Sequence, residues 1–195
     1  MMTDTDFNYE RYFLKEGLDQ FKDYLLSDEV YWALNLRAEQ GTSPYPQLTL
    51  GNLLLSEARL QGAAAAMDLS PSQKKELDEI NTGISEHKNE WQVAWSKKSE
   101  KEFGQRLRQW TNYLDDLGEN PDRHRSIFAT EVRTRAILEL LKGDLPRESK
   151  SLLQELDALD QRLKRLTSAA DFVWGNALKS AFPQEQYWFL YAKPN

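Results

Sequence analysis

Leu152, Leu156, Leu159, Leu163 and Leu166 follow one another at steps of four, three, four and three residues, a spacing that lays five apolar side chains along one stripe of an α-helix. The device recurs along the chain. Phe7, Leu14, Leu18, Phe21 and Leu25 lie at steps of three, four or seven. Leu77, Ile80, Ile84, His87, Trp91 and Trp95 recur at three and four, and Phe103, Leu107, Trp110, Leu114 and Leu117 repeat the four-three pattern. Several helical stripes must be buried against one another, which makes an up-and-down helical bundle the economical architecture.

Breaks divide the pattern into about six helices. The first covers residues 7–26, where Gly17 weakens the helix by about 1 kcal/mol relative to Ala without ending it. Residues 40–48 hold Gly41, Pro44 and Pro46 and form the most evident loop. Thr49 is suited to cap a helix that runs from Leu50 to about Met67 and ends in Ala63–Ala66, small residues that allow close approach. Ser70-Pro71 starts a helix of about 25 residues, with Ser70 as cap and Pro71 at the first helical position. Gly118 to Pro121 closes the next helix, and Gly143 to Pro146 closes one that carries Ile127, Phe128, Val132, Ile137, Leu138 and Leu141. The leucine stripe at 152–166 can be continued through Phe172, Val173, Trp174 and Leu178 to Phe182, where Pro183 stops it.

Two segments depart from this periodicity, Glu29-Val30-Tyr31-Trp32-Ala33-Leu34 and Glu185-Gln186-Tyr187-Trp188-Phe189-Leu190. In the first, Val30, Trp32, Leu34 and Leu36 alternate with Tyr31, Ala33 and Asn35, which is the period of a strand. The segments near 30–36 and 186–192 are therefore candidates for a small two-stranded antiparallel sheet that ties the chain ends together. The alternative is that each is the frayed end of a neighbouring helix. The fold expected is mainly α, a single helical domain over 1–195.

Composition bounds the function. A chain of 195 residues with 40% hydrophobic and 29% charged side chains, including six Trp, eight Tyr and eight Phe, has the material for a packed core. It contains no cysteine, which removes disulfides, thiolate catalysis and sulfur-ligated metals. The N-terminus is acidic and leads into an amphipathic segment rather than a secretory signal, and no run approaches the roughly 20 apolar residues that span a bilayer. A cytoplasmic protein with no membrane association is expected. The net charge of −6 disfavours nucleic acid as a partner. The acidity is concentrated in residues 1–40, with nine Asp or Glu against four Lys or Arg, whereas residues 97–135 carry nine basic against seven acidic residues.

No residue set has the spacing of a catalytic, metal or phosphate site. The two histidines, His87 and His124, lack the Glu-x-x-His pattern of a di-metal bundle, the glycines are scattered singly, and no serine sits in G-x-S-x-G or S-x-x-K. Asp115-Asp116 point about 100° apart on a helix and form no dyad. No metal and no cofactor are expected, and the balance is against an enzyme.

Three kinds of site remain. His87, Trp91 and Trp95 share one face and either fill a core or line a cavity for an apolar ligand. Arg123, His124 and Arg125 open a helix and could hold an anion at its free N–H groups; with Arg133 and Arg135 they could also touch nucleic acid, although the four arginines do not share one face. Tyr31, Trp32, Tyr187 and Trp188 become a partner-binding patch if they lie exposed together. The leading expectation is a non-enzymatic protein–protein interaction or scaffold module, with self-association through the 152–166 stripe as one form. A small-molecule-binding bundle and a nucleic-acid-binding helix are the alternatives.

Overall fold

The computed structural model describes residues 4–38 and 42–195, residues 4–6 by their backbone only. Its helices are α1 (Asp4–Asp19), α2 (Phe21–Leu26), α3 (Leu50–Ala65), α4 (Pro71–Glu90), α5 (Gln92–Glu119), α6 (Pro121–His124), α7 (Phe128–Leu141) and α8 (Lys150–Leu166). Strands β1 (Thr167–Ala169) and β2 (Ala192–Pro194) form a two-stranded antiparallel sheet. The fold is mainly helical, with 72% of the described residues in α-helices and 3-10 turns, and has one small sheet among them.

Helix α3 lies at the centre, packed against α1, α5, α7 and the 3-10 turn Asn176–Ala181, while α5 packs on α7 and α8. Two glycines make this crowding possible. A Cβ on Gly51 would stand 2.2 Å from Ile137 Cγ2, and one on Gly62 would stand 3.0 Å from Ala181 Cβ. Of the alanine run at 63–66, only Ala63 is buried, so Gly62 and Ala63 together provide the close approach.

Both expected caps form. Thr49 Oγ1 accepts the Asn52 N–H at 2.9 Å. Ser70 Oγ accepts the Gln73 N–H at 3.3 Å while Gln73 Oε1 accepts the Ser70 N–H at 2.9 Å, a reciprocal capping box that leaves neither donor idle. On the 152–166 stripe Leu156, Leu159 and Leu163 are buried, and the helix uses this face internally, against α5.

Several boundaries differ from the periodicity. The 7–26 helix is cut at Gln20, whose ψ of 4° is not helical; its side-chain oxygen accepts the Trp32 indole N–H at 3.0 Å. The 71–95 helix ends at Glu90, and Trp91, at φ −113° and ψ 34°, turns the chain into α5. This break redirects the stripe, so that α4 packs on α1 and α5 faces α7 and α8. The arginine-rich helix is also interrupted, by a 3-10 turn at Arg125–Ile127.

The end of the chain requires the largest correction. Helix α8 stops at Leu166 because Thr167–Ala169 pair with Ala192–Pro194, so residues 170–182 do not continue the helix. Nor is 186–192 extended: Trp188–Tyr191 is a 3-10 turn, and only Ala192 onward is strand. Residues 30–36 keep the expected alternation of burial but form no strand: Trp32 alone makes a bridge, to Leu48, through two backbone hydrogen bonds of 2.9 and 2.8 Å, and the segment does not pair with the C-terminal one. The sheet exists; its first strand comes from residues 167–169. The start of the chain, residues 1–3, and Gln40-Gly41 of the expected loop lie outside the described residues.

Candidate functional site

The helix break at Trp91 faces the end of α2 across a groove of about 620 Å³. One wall is Leu25, Leu26, Ser27 and Asp28; the other is residues 89–94 with Lys97, Lys98 and Lys101. Because Trp91 leaves the helical path, the first residues of α5 are not screened by a preceding turn, and Val93 stands 70% exposed. Leu26 is 55% exposed, since its neighbours Tyr24 and Leu25 occupy the buried face of α2. Half-buried Trp91 forms part of the floor, with Lys22 Nζ 5.4 Å from its ring centroid.

Lysines fix this geometry. Lys98 is buried, and its Nζ donates to Ser27 O at 2.8 Å and Glu29 O at 2.6 Å while lying 4.5 Å from the Tyr24 ring centroid. Burial pushes its ammonium pKa down, and the Lys101 charge adds to this. Lys101 donates to Asp28 O. The 27–29 turn is thus held by α5, and Tyr24 secures it from below by donating to Val30 O at 3.3 Å and accepting the Leu50 N–H at 3.0 Å. Burial, reinforced by the Glu102 charge, pushes the Tyr24 hydroxyl far up, so it stays protonated and can serve both bonds. The rim lysines Lys97 and Lys101 are exposed, and α5 starts without a side-chain cap, leaving the positive end of a 28-residue helix beside the groove. The lining offers apolar contact and positive charge.

The expected trio is not gathered around one cavity. Trp95 is 1% exposed, with its indole N–H donated to Asp144 Oδ2 at 2.9 Å and its ring edge-on to Phe21 at 5.6 Å. His87 also meets Phe21 edge-on, at 5.4 Å, and its Nδ1 donates to Gly83 O at 2.8 Å. Trp91 alone lines the groove. Among the described residues, no three His, Asp or Glu side chains are placed to hold a metal ion.

The arginine-rich segment is dispersed as well. Helix α6 is four residues long, Arg125 Nη2 pairs with Asp122 Oδ1 at 2.6 Å, and His124 O accepts the Tyr113 hydroxyl at 3.2 Å. Arg123 is exposed. Arg135 is buried in a two-pronged pair with Asp160, at 2.7 and 2.8 Å, and a further bond to Glu139 at 3.0 Å. Arg133 donates to Asn52 Oδ1 at 3.0 Å. These arginines do not form one basic surface.

The Tyr-Trp segments are separated too. Tyr31 is exposed and lies under Arg106, Trp32 is half-buried, Tyr187 is buried, and Trp188 is half-buried beneath Lys164, whose Nζ is 5.0 Å from its ring centroid. Among the described residues no backbone hydrogen bond joins the two segments.

Sequence reasoning missed Leu26, Val93, Lys97 and Lys101. Leu26 and Val93 did carry a signal: each is apolar and falls off the stripe that its neighbours define, Leu26 directly after Leu25 and Val93 between Trp91 and Trp95. Comparison with protein-family models, with curated proteins and with solved structures finds no match to this chain.

Proposed function

We propose that the protein is a non-enzymatic interaction module whose groove between the end of α2 and the α4–α5 break docks an acidic segment of a partner protein through apolar anchors. One observation carries this reading. Among the described residues, the two most exposed large apolar side chains, Val93 and Leu26, line the same groove, whereas isolated exposed apolar residues are expected to scatter. Covering a Val or Leu side chain is worth about 1.5–3 kcal/mol when burial is complete, and Trp91 adds an aromatic surface of the kind that dominates interfaces.

The choice of an acidic partner rests on charge. The lining carries Lys97, Lys98 and Lys101 against Asp28 and Glu90, a formal +1 in a chain of −6. Lys22 and the uncapped start of α5 add to the positive side. An acidic segment would be drawn to this region and repelled by most of the remaining surface, so charge selects orientation and speeds encounter while the apolar anchors hold the complex.

Peptide display against the wild-type protein, with counter-selection on Val93→Asp, tests the proposal. Enriched peptides should combine apolar anchors with Asp or Glu and bind in roughly the micromolar range. No enrichment, or peptides that bind Val93→Asp equally well, would overturn it.

A further inference from the structure

A second feature lies away from the groove, where α3, α5 and α7 contribute three arginines, Arg59 and Arg133 half-buried and Arg106 buried. Arg106 is committed: Glu102, wholly buried, accepts from it at 3.1 and 3.2 Å and takes the Gly51 N–H at 2.8 Å with its other oxygen. Arg59 and Arg133 are not balanced in the same way. Arg59 donates through Nη1 to Glu10 Oε1 at 3.2 Å, and Arg133 donates through Nη2 to the neutral Asn52 Oδ1 at 3.0 Å. The Nε atoms of both are buried with no hydrogen-bond partner.

A buried N–H of a charged group left without an acceptor is costly, and two such donors on arginines close enough to repel one another are harder to account for. Burial and then the Arg59 charge push the Arg133 pKa down, and Glu10, the carboxylate paired with Arg59, offsets part of this. The bond from Arg59 to Glu10 uses Nη1 and leaves its Nε–Nη2 edge, the edge that a carboxylate or phosphate grips with two oxygens. The Arg59 side chain is 30% exposed, and its guanidinium lies 5.6 Å from the Trp174 ring centroid. The Trp174 indole N–H is anchored on Ala129 O at 2.8 Å, one helical turn before Arg133. Trp174 thereby links Arg59 to the start of α7, the helix that carries Arg133.

We infer that Arg59 and Arg133 form a binding site for a small oxyanion, a phosphate or carboxylate group, held between the two guanidiniums beside Trp174. The anion would accept the unused donors and relieve the repulsion between the two cations. This rests on the orphaned arginine donors and is independent of the docking groove.

The test is thermal unfolding and calorimetric titration of the full chain with sodium phosphate and with sodium succinate, each against sodium chloride at equal ionic strength. At a concentration about a hundredfold above its dissociation constant, the bound anion should raise Tm by roughly 5–10 °C, with a saturating dependence. Saturation by phosphate identifies a phosphate group, and saturation by succinate alone identifies a carboxylate. Arg133→Gln should abolish the effect and Arg125→Gln should leave it intact. Should Arg133→Gln fail to fold, Arg59→Lys, at a partly exposed position, keeps the charge but loses the two-donor edge and should weaken binding at least tenfold. A Tm that follows ionic strength without saturating, or an anion effect retained in Arg59→Lys, would overturn the assignment.

Discussion

Replacing Gly51 by Ala sets two effects of opposite sign against each other. Position 51 lies in the first turn of α3, where helix propensity alone favours Ala by about 1 kcal/mol. The structure opposes this. The new Cβ would stand 2.2 Å from Ile137 Cγ2 and 2.7 Å from Glu102 Oε1, well inside contact distance, and Glu102 is wholly buried. Overpacking of this kind costs about 1–3 kcal/mol. Displacing the Glu102 carboxylate would also disturb its bond from the Gly51 N–H, a charged hydrogen bond worth about 1.5–3 kcal/mol. After the propensity gain is deducted, the expected net loss is about 1.5–5 kcal/mol. Gly104→Ala in α5 is the control, since its Cβ would meet only the tip of Arg108 at 4.0 Å, and there Ala should gain about 0.5–1 kcal/mol. Guanidinium unfolding read by tryptophan fluorescence would show a lower midpoint for Gly51→Ala at unchanged slope and a higher one for Gly104→Ala. A Gly51→Ala protein as stable as the wild type would refute the close packing of α3 against α5 and α7.

Three further outcomes follow from the interior. Asp160→Ala leaves Arg135 buried with Glu139 as its remaining carboxylate and should cost about 3–5 kcal/mol by chemical unfolding. Ser70→Ala removes half of the capping box at α4 and should cost about 1 kcal/mol, with reduced hydrogen-exchange protection in the first turn of α4. Burial pushes Tyr187 up to about 12 and raises Tyr24 and Tyr113 as well, so these phenols stay neutral in the native state while the unfolded chain ionises them near pH 10. Native stability is therefore held below pH 10 and lost as pH rises towards the folded values, by up to about 1.4 kcal/mol per pH unit for each phenol. Absorbance at phenolate wavelengths should show part of the tyrosine complement ionising only with unfolding; simultaneous ionisation of all eight tyrosines near pH 10 in a folded protein would contradict this burial.

The helical stripes were legible because burial along a helix leaves a three-four period, and the Thr49 and Ser70 starts were legible because caps are local chemistry. The breaks at Gln20 and Trp91 were not, since neither position carries Gly or Pro and each is fixed by tertiary packing. Residues 172–182 misled for a related reason: their aromatics fall at helical steps but serve a local ring cluster, Phe172 on Phe182 and Tyr191 and Trp174 on Phe182, closed by the pairing of β1 with β2. Gly175 was the available warning. Of the candidate groove only Trp91 was named as a site residue and Leu25 as a core residue, because the exposed part of the groove, Leu26 and Val93, is made by residues that leave their stripes, and stripes do not reveal them.

The docking proposal is tested by titrating an acidic peptide obtained by display into the wild-type protein, into Val93→Asp and into the Lys22→Glu/Lys97→Glu double variant, which leaves the Lys98 and Lys101 bonds to the 27–29 turn in place, at low and high salt. The substituted side chains are exposed, so the variants should keep the wild-type fold. Binding to both variants should be at least tenfold weaker, with salt weakening the wild-type complex and having little effect on the charge-reversed one. Equal affinity for all three proteins, unchanged by salt, would contradict it.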